Sequence, residues 1–282
     1  MPVRTIGVVG AGTMGSGIAQ VAGVAGLGVS LVDVSDAAVQ KGLDAVKSNL
    51  ARMVARGKAT EAEKEAALGL IRGTTALDDL ASADVVIEAA TEDFALKVNL
   101  LKRIDALVSA ETIVASNTSS ISITKLASVV SHPDRFIGMH FFNPAPIMPL
   151  VEIVRGLQTS DATHDTIKAL ASTLGKKPIT VKSGPGFVVN RILLPMINEA
   201  FFVLAEGSAS ATEIDDGMKL GCNHPIGPLA LADLIGLDVV LAIMQTLHDE
   251  FADSKYRPSP LLREFVAAGY LGRKTGRGVY RY

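Results

Sequence analysis

The chain has 282 residues, which is more than one ordinary domain and predicts two. Apolar residues make up 48% of it, a globular fraction that excludes a disordered chain. The net charge of −2 gives no general attraction for nucleic acid, and the single cysteine excludes both an intrachain disulfide and a cysteine-based metal site. No run of about 18 uncharged apolar residues occurs, so no membrane helix is expected. The first residues already form a strand and turn pattern, which predicts a cytoplasmic protein.

A glycine-rich motif follows the first apolar run, residues 3–9, and places Gly10, Gly12 and Gly15 before a helix pattern. A second strand then ends on Asp33, about twenty residues later. Gly10 permits a tight turn, Gly12 lets a pyrophosphate approach the backbone, and Gly15 lets helix and strand pack closely. The helix N-terminus would bind phosphates, while Asp33 would accept the ribose hydroxyls and repel a 2′-phosphate. The motif predicts an NAD-binding unit; a tight turn without a ligand is the alternative.

Residues 35–57 and 60–71 depart from a minimal strand–helix–strand unit and predict an inserted helical hairpin. Ser35 caps the first helix, and Arg52 and Arg56 lie one turn apart on a shared face. Mixed charge of this kind is typical of a solvated surface, but basic charge at helical spacing also suits a phosphorylated substrate. The residues themselves leave both interpretations open.

Polar side chains follow several of the predicted strands. Residues 84–89 and 112–115 have the composition of buried parallel strands and are separated by a helix pattern. Ligands of an open α/β sheet bind at the carboxyl ends of its strands. We therefore expect one crevice to collect four polar residues, namely Glu92, Asn117, Ser119 and His140. For each residue alone, a turn or helix cap is the alternative.

One histidine and one carboxylate lie in neighbouring apolar runs. His140 ends the run F-I-G-M, Glu152 lies inside L-V-E-I-V, and Pro144, Pro146 and Pro149 forbid regular structure between them. Two short strands joined by a stiff loop would let Glu152 reach back to His140. A buried carboxylate needs a partner to stay ionised, and an imidazole held at one nitrogen presents the other to a substrate. The pattern predicts a general base with its orienting acid; a half-exposed histidine beside a strand-edge glutamate is the alternative.

The hydrophobic period changes to that of helices after the S-G-P-G sequence at residues 183–186. We therefore expect a Rossmann-like, doubly wound α/β domain over residues 1–183 and an all-α domain over residues 184–282. Pro195 lies inside the first predicted helix of the second domain, and one long helix is expected from the turn at residues 223–228 to Phe251. So much apolar helical surface predicts a homodimer formed through this domain.

Six segments carry a resemblance to a known family. They are V-V-G-A-G-T-M-G-S-G-I-A, S-N-T-S-S, M-H-F-F-N-P-A-P-I-M-P-L-V-E-I-V, S-G-P-G-F-V-V-N-R, H-P-I-G-P-L-A-L-A-D-L-I-G-L-D and G-R-K-T-G-R-G-V-Y. On these segments the whole chain resembles the L-3-hydroxyacyl-CoA dehydrogenase family, most closely its bacterial single-function members, the 3-hydroxybutyryl-CoA dehydrogenases. The resemblance implies NAD as cofactor, an acyl-CoA such as acetoacetyl-CoA or 3-hydroxybutyryl-CoA as substrate, and no metal.

The resemblance also implies roles for individual residues. His140 would take the 3-hydroxyl proton while Glu152 holds it. Ser119 and Asn190 would contact the reacting oxygen and the thioester, and Asn143 would lie beside the nicotinamide and the substrate. The implied cofactor residues are Gly10, Gly12, Thr13, Met14, Gly15, Asp33, Glu92, Lys97, Asn117, Ser119, Asn143 and Lys274.

On the inserted arm, family members carry a serine and a lysine for coenzyme A where this sequence has Asn49 and Arg56. Arg56 keeps a phosphate-binding charge in a different geometry, and Arg52 joins these two residues in the implied substrate set. Two other functions stay open. One is a related dehydrogenase of a free hydroxy acid, of the L-gulonate or carnitine type, and the other is a non-catalytic NAD-binding sensor.

Overall fold

The computed structural model describes residues 3–282, which divide into two compact units, one that ends at Ser183 and one of Gly184–Tyr282. The junction between Ser183 and Gly184 lies where the hydrophobic period of the sequence changes. Each unit has its own buried apolar cluster, as expected for two separate cores.

The described strands of the first unit form one eight-stranded sheet in the order β3-β2-β1-β4-β5-β6-β7-β8. They are β1 Thr5–Val9, β2 Gly28–Val32, β3 Ile71–Thr74, β4 Val85–Glu88, β5 Ile113–Ser116, β6 Phe136–Phe141, β7 Leu150–Arg155 and β8 Lys177–Lys182. Neighbours from β3 to β6 are parallel, β7 is antiparallel to β6, and β8 is parallel to β7. The helices are α1 Thr13–Val24, α2 Asp36–Ala55, α3 Glu61–Gly69, α4 Phe94–Asp105, α5 Ile123–Ala127 and α6 Asp161–Thr173. This confirms the predicted doubly wound, Rossmann-like fold.

The strand order reverses next to β1, because β2 pairs with one of its sides and β4 with the other. In open α/β sheets such a switch point opens a crevice at the carboxyl ends of the strands. β4 is buried at every position, as its sequence V-V-I-E predicts for a central parallel strand except at the glutamate. The fold therefore places a cofactor crevice at β1 and β4 and buries a carboxylate, Glu88, beside it.

The inserted hairpin of α2 and α3 begins each helix with a hydroxyl cap. Ser35 accepts a hydrogen bond from the N–H of Ala38, and Thr60 forms a reciprocal capping box with Glu63. The second helix was predicted to reach Ile71, but it ends at Gly69, and residues from Ile71 onward form β3. The sequence I-R-G-T hid this strand because an edge strand needs no continuous apolar run. The short helix α5 was missed for a similar reason, since it is shorter than two turns.

The second unit is helical, with α7 Val189–Ala205, α8 Ala211–Cys222, α9 Pro228–Ile235, α10 Leu237–Phe251 and α11 Pro260–Ala267. One prediction here is wrong: residues 228–251 form two helices rather than one, bent by 99° at Gly236. Gly236 has a φ of +104°, which interrupts a right-handed helix, while apolar neighbours on both sides kept the helical period unbroken in the sequence. None of the helices within residues 3–282 is by itself long and apolar enough to cross a membrane, although α9 and α10 together reach that length and hydropathy.

Two buried aspartates organise the second unit. Asp215 accepts from the N–H groups of Leu229 and Ala230 at 2.8 and 2.9 Å, at the N-terminus of α9, and from the hydroxyl of Tyr280 at 2.8 Å. Asp233 accepts from the N–H groups of Val279 and Tyr280, both at 2.9 Å. Burial and the neighbouring Asp215 carboxylate raise the pKa of the Tyr280 hydroxyl, which therefore stays a donor. These contacts fix the C-terminal tail of the chain to α8 and α9.

Candidate active site

The glycine loop between β1 and α1 forms an open cradle. Gly10 has a φ of +103°, which favours glycine, and a side chain on Gly15 would overlap the carbonyl oxygen of Gly10. A Cβ placed on Gly12 would meet no atom within 4 Å, so the backbone at this position faces open space. The first turn of α1, which includes Thr13 and Met14, follows directly and has N–H groups that the helix itself does not use. The loop therefore suits a pyrophosphate.

Asp33 follows the last residue of β2 and is tied to this cradle. Its Oδ2 accepts from the N–H of Ala11 at 2.6 Å, and its Oδ1 accepts from the N–H of Val34 at 2.7 Å. A cavity of about 770 Å³ opens beside it, within the size range of small-molecule and cofactor sites. Its walls include Gly10, Gly12, Asp33, Ala89, Asn99 and Arg103. An acid, a glycine cradle and a cavity of this size fit the adenosine side of a dinucleotide.

His140 and Glu152 lie directly opposite each other on the antiparallel strands β6 and β7. His140 Nδ1 lies 2.7 Å from Glu152 Oε2, and the exposed fractions of the two residues are 5% and 0%. This is the contact that the sequence predicted. The expectation that His140 follows the end of a strand is wrong, because it lies within β6, where a direct cross-strand partner is available. The carboxylate holds Nδ1, so Nε2 is the ring nitrogen that Glu152 does not contact.

Lys176 contacts the proline-rich loop between β6 and β7. The ammonium of Lys176 donates to the carbonyl oxygens of Ala145 and Met148 at 2.6 and 2.9 Å. Burial lowers the pKa of Lys176 from its ordinary value of 10.5. These two hydrogen bonds restrain the loop, for which the prolines had predicted stiffness. No motif in the sequence indicated Lys176.

The polar residues that follow β5 reach both β6 and the segment after β4. Asn117 Oδ1 accepts from the N–H of Phe141 at 2.8 Å, next to His140. Ser119 donates to Glu92 Oε1 from its N–H at 2.9 Å and from its hydroxyl at 3.3 Å. The predicted convergence of Glu92, Asn117, Ser119 and His140 at one edge of the sheet is therefore present.

Glu92 is the acceptor around which residues 118–120 fold. Its Oε1 also accepts from the hydroxyls of Thr118 at 2.6 Å and Ser120 at 3.0 Å. Burial acts to raise the pKa of Glu92, but the charge of Lys97 and the hydrogen bonds from Thr118, Ser119 and Ser120 outweigh it and lower that pKa. Glu92 is thus an anion at neutral pH. It holds residues 117–120, which we call the serine loop, in one conformation.

Five residues close a ring of contacts beneath this loop, and we call it the loop-anchoring ring: Glu88, Lys97, Glu92, Thr118 and Ser116. Lys97 Nζ lies 2.7 Å from Glu88 Oε1 and 3.5 Å from Glu92 Oε2. Glu92 accepts from the hydroxyl of Thr118, the N–H of Thr118 donates to Ser116 Oγ at 3.3 Å, and Ser116 Oγ donates to Glu88 Oε2 at 2.7 Å. Lys97 is 1% exposed and lies under the loop. The cofactor role that the resemblance implies for it stays a prediction.

The implied coenzyme A residues lie near the end of α2. Arg52 Nη2 donates to Asn49 Oδ1, so the asparagine orients an arginine. Arg56 is the C-cap of the same helix and is exposed. The three residues therefore share one stretch of the arm.

The remaining predicted residues include one loop position and two positions of the second unit. Asn143 follows β6 and is exposed. Asn190 is the second residue of α7. Lys274 donates to both carboxylate oxygens of Asp238 at 2.6 Å, so its ammonium has a partner within its own unit. Among residues 3–282, no group of three or more His, Cys, Asp or Glu side chains could hold a metal ion.

Two family descriptions match the chain almost from end to end. The NAD-binding domain of 3-hydroxyacyl-CoA dehydrogenase matches residues 5–184, and the C-terminal domain of 3-hydroxyacyl-CoA dehydrogenase matches residues 186–282. The chain belongs to the 3-hydroxyacyl-CoA dehydrogenase family. Its first unit is the NAD-binding domain of that family, as the glycine cradle and Asp33 indicate.

Individual relatives extend the likeness over the full length. A probable 3-hydroxybutyryl-CoA dehydrogenase of Bacillus subtilis is 51% identical, covering 100% of this chain and 98% of that protein. The 3-hydroxybutyryl-CoA dehydrogenase of Bradyrhizobium diazoefficiens is 52% identical, covering 99% and 96%. The crystal structure of (S)-3-hydroxybutyryl-CoA dehydrogenase from Ralstonia eutropha superimposes with a TM-score of 0.97 at 68% identity, covering 99% of each chain.

Within this family framework, the sequence failed to indicate three residues at the carboxyl edge of the sheet: Glu88, Ser116 and Thr118. A signal existed for Glu88, since a glutamate in an otherwise apolar buried strand requires a partner. Lys97 follows on the next helix and is that partner. Ser116 and Thr118 flank Asn117 in a motif already singled out, but their partners lie on another strand and its following loop, so spacing could not reveal them.

Proposed function

We propose that the protein interconverts (S)-3-hydroxyacyl-CoA and 3-ketoacyl-CoA with NAD, and that (S)-3-hydroxybutyryl-CoA and acetoacetyl-CoA are its preferred pair. The observation that carries this proposal is the buried contact of His140 with Glu152 in a chain whose first unit is an NAD-binding domain. The four-carbon substrate is supported by relatives at about half identity that are 3-hydroxybutyryl-CoA dehydrogenases over their full length.

In the oxidation direction, the nicotinamide of bound NAD supplies the hydride acceptor. His140 takes the proton of the 3-hydroxyl at Nε2 as the carbonyl forms. Glu152 holds Nδ1, which fixes the orientation of the imidazole and stabilises its protonated form. In the reduction direction, the same imidazole returns the proton. An imidazole serves both directions because it exchanges protons near neutral pH.

Ser119, Asn143 and Asn190 are the proposed contacts to the substrate. Ser119 lies on the loop that Glu92 holds, so the position of its hydroxyl is set before the substrate binds. The roles of Asn143, beside the nicotinamide, and of Asn190, at the thioester, follow from the family resemblance. Replacing any of the three by alanine should lower kcat/KM for acetoacetyl-CoA more than it weakens NADH binding.

The decisive assay measures the oxidation of NADH with acetoacetyl-CoA, longer 3-ketoacyl-CoAs and the corresponding free acids. We expect kcat/KM to be highest for acetoacetyl-CoA and very low for acetoacetate. Turnover of a free hydroxy acid with little turnover of its CoA thioester would establish the alternative dehydrogenase instead. NADH binding without turnover of either class would establish a sensor.

The basic arm is the proposed contact for the coenzyme A phosphates. Because Asn49 orients Arg52, and Arg56 adds a second charge, we expect Arg56→Ala to raise KM for acetoacetyl-CoA and to reduce its dependence on salt. The dissociation constant of NADH should stay unchanged. Lys41→Ala is the matched control, because Lys41 is an exposed cation near the other end of the same helix. An unchanged KM after Asn49, Arg52 and Arg56 are all replaced by alanine would contradict this assignment.

We also propose a homodimer formed through the second unit. Its described surface carries exposed apolar side chains, which include Ile192 at 68%, Leu234 at 53% and Val239 at 41%. Such residues are typical of a surface that a partner subunit covers. Sedimentation of the wild type and of an Ile192→Glu variant checks this proposal. The cytoplasmic location stays a prediction that cell fractionation can check.

A further inference from the structure

Glu88 is a buried carboxylate that the proton and hydride steps do not use. It ends β4, it is 0% exposed, and the other three residues of the strand are apolar. Burying an ionised carboxylate is costly unless charge and hydrogen bonds compensate for it. An apolar side chain would fill the same space, so packing alone does not account for a glutamate here.

The two oxygens of Glu88 receive hydrogen bonds from three separate segments. Oε1 accepts from Lys97 Nζ and from the N–H of Ala90, both at 2.7 Å, and Oε2 accepts from Ser116 Oγ at 2.7 Å. Ala90 belongs to the segment that lines the cofactor cavity, and Ser116 precedes Asn117 and the serine loop. The Glu88 carboxylate thus contacts the segment that lines the cofactor cavity, the buried ammonium of Lys97 and the residue that precedes the serine loop.

We propose that Glu88 is a positioning residue, which sets the cofactor wall at residues 89–92 and the serine loop at residues 117–120 through the loop-anchoring ring. The catalytic part of this proposal rests on the proposed function. The cofactor part rests only on the NAD-binding domain and can be tested without a substrate.

Lys97 lies between two carboxylates. Its ammonium is 2.7 Å from Glu88 and 3.5 Å from Glu92, so Glu88 is the closer partner. Without the charge of Glu88, Glu92 becomes the remaining anion of the ring, and attraction draws it toward the ammonium. Glu92 would then move away from Ser119 and Ser120, whose N–H groups it accepts at 2.9 and 3.0 Å.

The cofactor wall responds to the same change. A Cβ on Gly10 would lie 2.7 Å from the carbonyl oxygen of Ala89, so the glycine turn and the segment after β4 approach closely. The N–H of Ala90 holds that segment to Glu88. A shift of residues 89–90 therefore displaces one wall of the cavity that also contains Gly12 and Asp33.

The test compares Glu88→Gln and Ser116→Ala with Asp84→Asn as a matched control. Asp84 precedes the other end of β4 and accepts from the N–H groups of Arg4 and Thr5 at 2.8 and 2.9 Å, away from both loops. For each variant, we would measure the dissociation constant of NADH by its fluorescence, kcat and KM with acetoacetyl-CoA, and the melting temperature.

We expect Glu88→Gln to lower kcat by about 10²-fold, the effect of a displacement on the order of 1 Å, and to raise the dissociation constant of NADH by about tenfold. Ser116→Ala should change both in the same direction by less. Asp84→Asn should lower the melting temperature and leave both constants near those of the wild type. Adding Lys97→Met to Glu88→Gln removes the uncompensated cation, so the melting temperature should recover. It also removes the ion-pair partner of Glu92, so Glu92 and the serine loop stay unanchored and kcat should stay low.

A folded Glu88→Gln variant with the wild-type kcat and NADH affinity overturns the proposal. Recovery of kcat in the double variant also overturns it, because the residue would then serve only to compensate a buried charge. If Glu88→Gln does not fold, unchanged constants in Ser116→Ala overturn it. If the wild type does not reduce acetoacetyl-CoA, the proposed function fails, but NADH affinity still decides the role of Glu88.

Discussion

The buried carboxylates of the two units have different hydrogen-bond partners. In the first unit, Glu88 and Glu152 each face a side chain that carries or can accept a positive charge, Lys97 and His140. Both carboxylates are 0% exposed and both lie on strands of the sheet, at the edge where the cofactor crevice opens. Their partners are side chains that can exchange a proton or change position.

In the second unit, Asp215 and Asp233 face backbone N–H groups and tyrosine hydroxyls instead. They are 5% and 1% exposed, and each accepts two backbone hydrogen bonds. Tyr280 donates its hydroxyl to Asp215 at 2.8 Å, and Tyr282 donates its hydroxyl to Asp233 at 3.1 Å. Backbone donors cannot change their protonation state, and burial raises the pKa of the Tyr280 hydroxyl, so these two carboxylates hold the C-terminal tail in place.

A charged or titratable side-chain partner, rather than burial, thus distinguishes Glu88 and Glu152 from Asp215 and Asp233. Removing a carboxylate that holds an imidazole should affect the rate. Removing one that holds backbone N–H groups should affect unfolding.

The largest effect should come from Glu152→Gln, which keeps the shape of the side chain and removes its charge. Without the negative charge, the protonated form of His140 loses its stabilisation, and kcat should fall by roughly 10-fold to 10⁴-fold. NADH binding should survive, because Asp33 and the glycine loop do not contact the pair. Steady-state kinetics and fluorescence titration measure the two quantities.

A double-mutant cycle then asks whether Glu152 acts through His140. His140→Gln alone should lower kcat at least as much, and adding Glu152→Gln should cost little more, because the two residues act as one unit. Fully additive losses would show that Glu152 works independently of the histidine, and the first half of the comparison would be wrong.

Asp233→Asn should reduce stability next most strongly. The amide can accept from one N–H group of the tail, but its own NH₂ faces the other, so either Val279 or Tyr280 loses its acceptor. We expect the free energy of unfolding to fall by roughly 2–4 kcal/mol in denaturant titrations. Asp238→Asn, whose carboxylate is 39% exposed beside Lys274, should cost below about 1 kcal/mol. Equal losses in the two variants would contradict the structural role of the tail contacts.

Asp33 accepts from backbone N–H groups, like the aspartates of the second unit, but it lies at the cofactor cavity. Its carboxylate should repel a 2′-phosphate and so select NADH over NADPH. In Asp33→Asn, the ratio of kcat/KM for NADH to that for NADPH should fall by roughly 10- to 100-fold, since the charge is lost and the size is kept. A wild-type enzyme that prefers NADPH would refute the assignment.

The smallest effect concerns Glu92, whose folded pKa lies below its ordinary value of 4.5. A carboxylate with a depressed folded pKa contributes stability above its unfolded pKa and loses that contribution as pH falls through the folded value. The stability gap between wild type and Glu92→Gln should therefore be full near neutral pH and should shrink below 4.5. Melting temperatures measured across this range check the sign, and a gap that widens in acid would contradict it.

Much of this molecule follows from short-range patterns. The glycine cradle, the caps at Ser35 and Thr60, and the change of period after Ser183 each depend on residues close together in the chain. The pairing of His140 with Glu152 could also be predicted, because two antiparallel strands joined by one loop must bring nearby residues face to face. The sequence alone therefore determined the fold class, the glycine loop and the contact of His140 with Glu152.

The contacts between segments that are distant in the chain became evident only from the tertiary structure. The break at Gly236 and the strand β3 depend on packing that no local period records. The loop-anchoring ring joins Glu88 and Ser116 from two adjacent parallel strands to Lys97 on the helix that connects them. Parallel strands need long crossover connections, so their contacts join residues whose spacing in the chain carries no signal. Only the assembled sheet showed that a buried glutamate contacts Lys97, Ala90 and Ser116 beneath the serine loop.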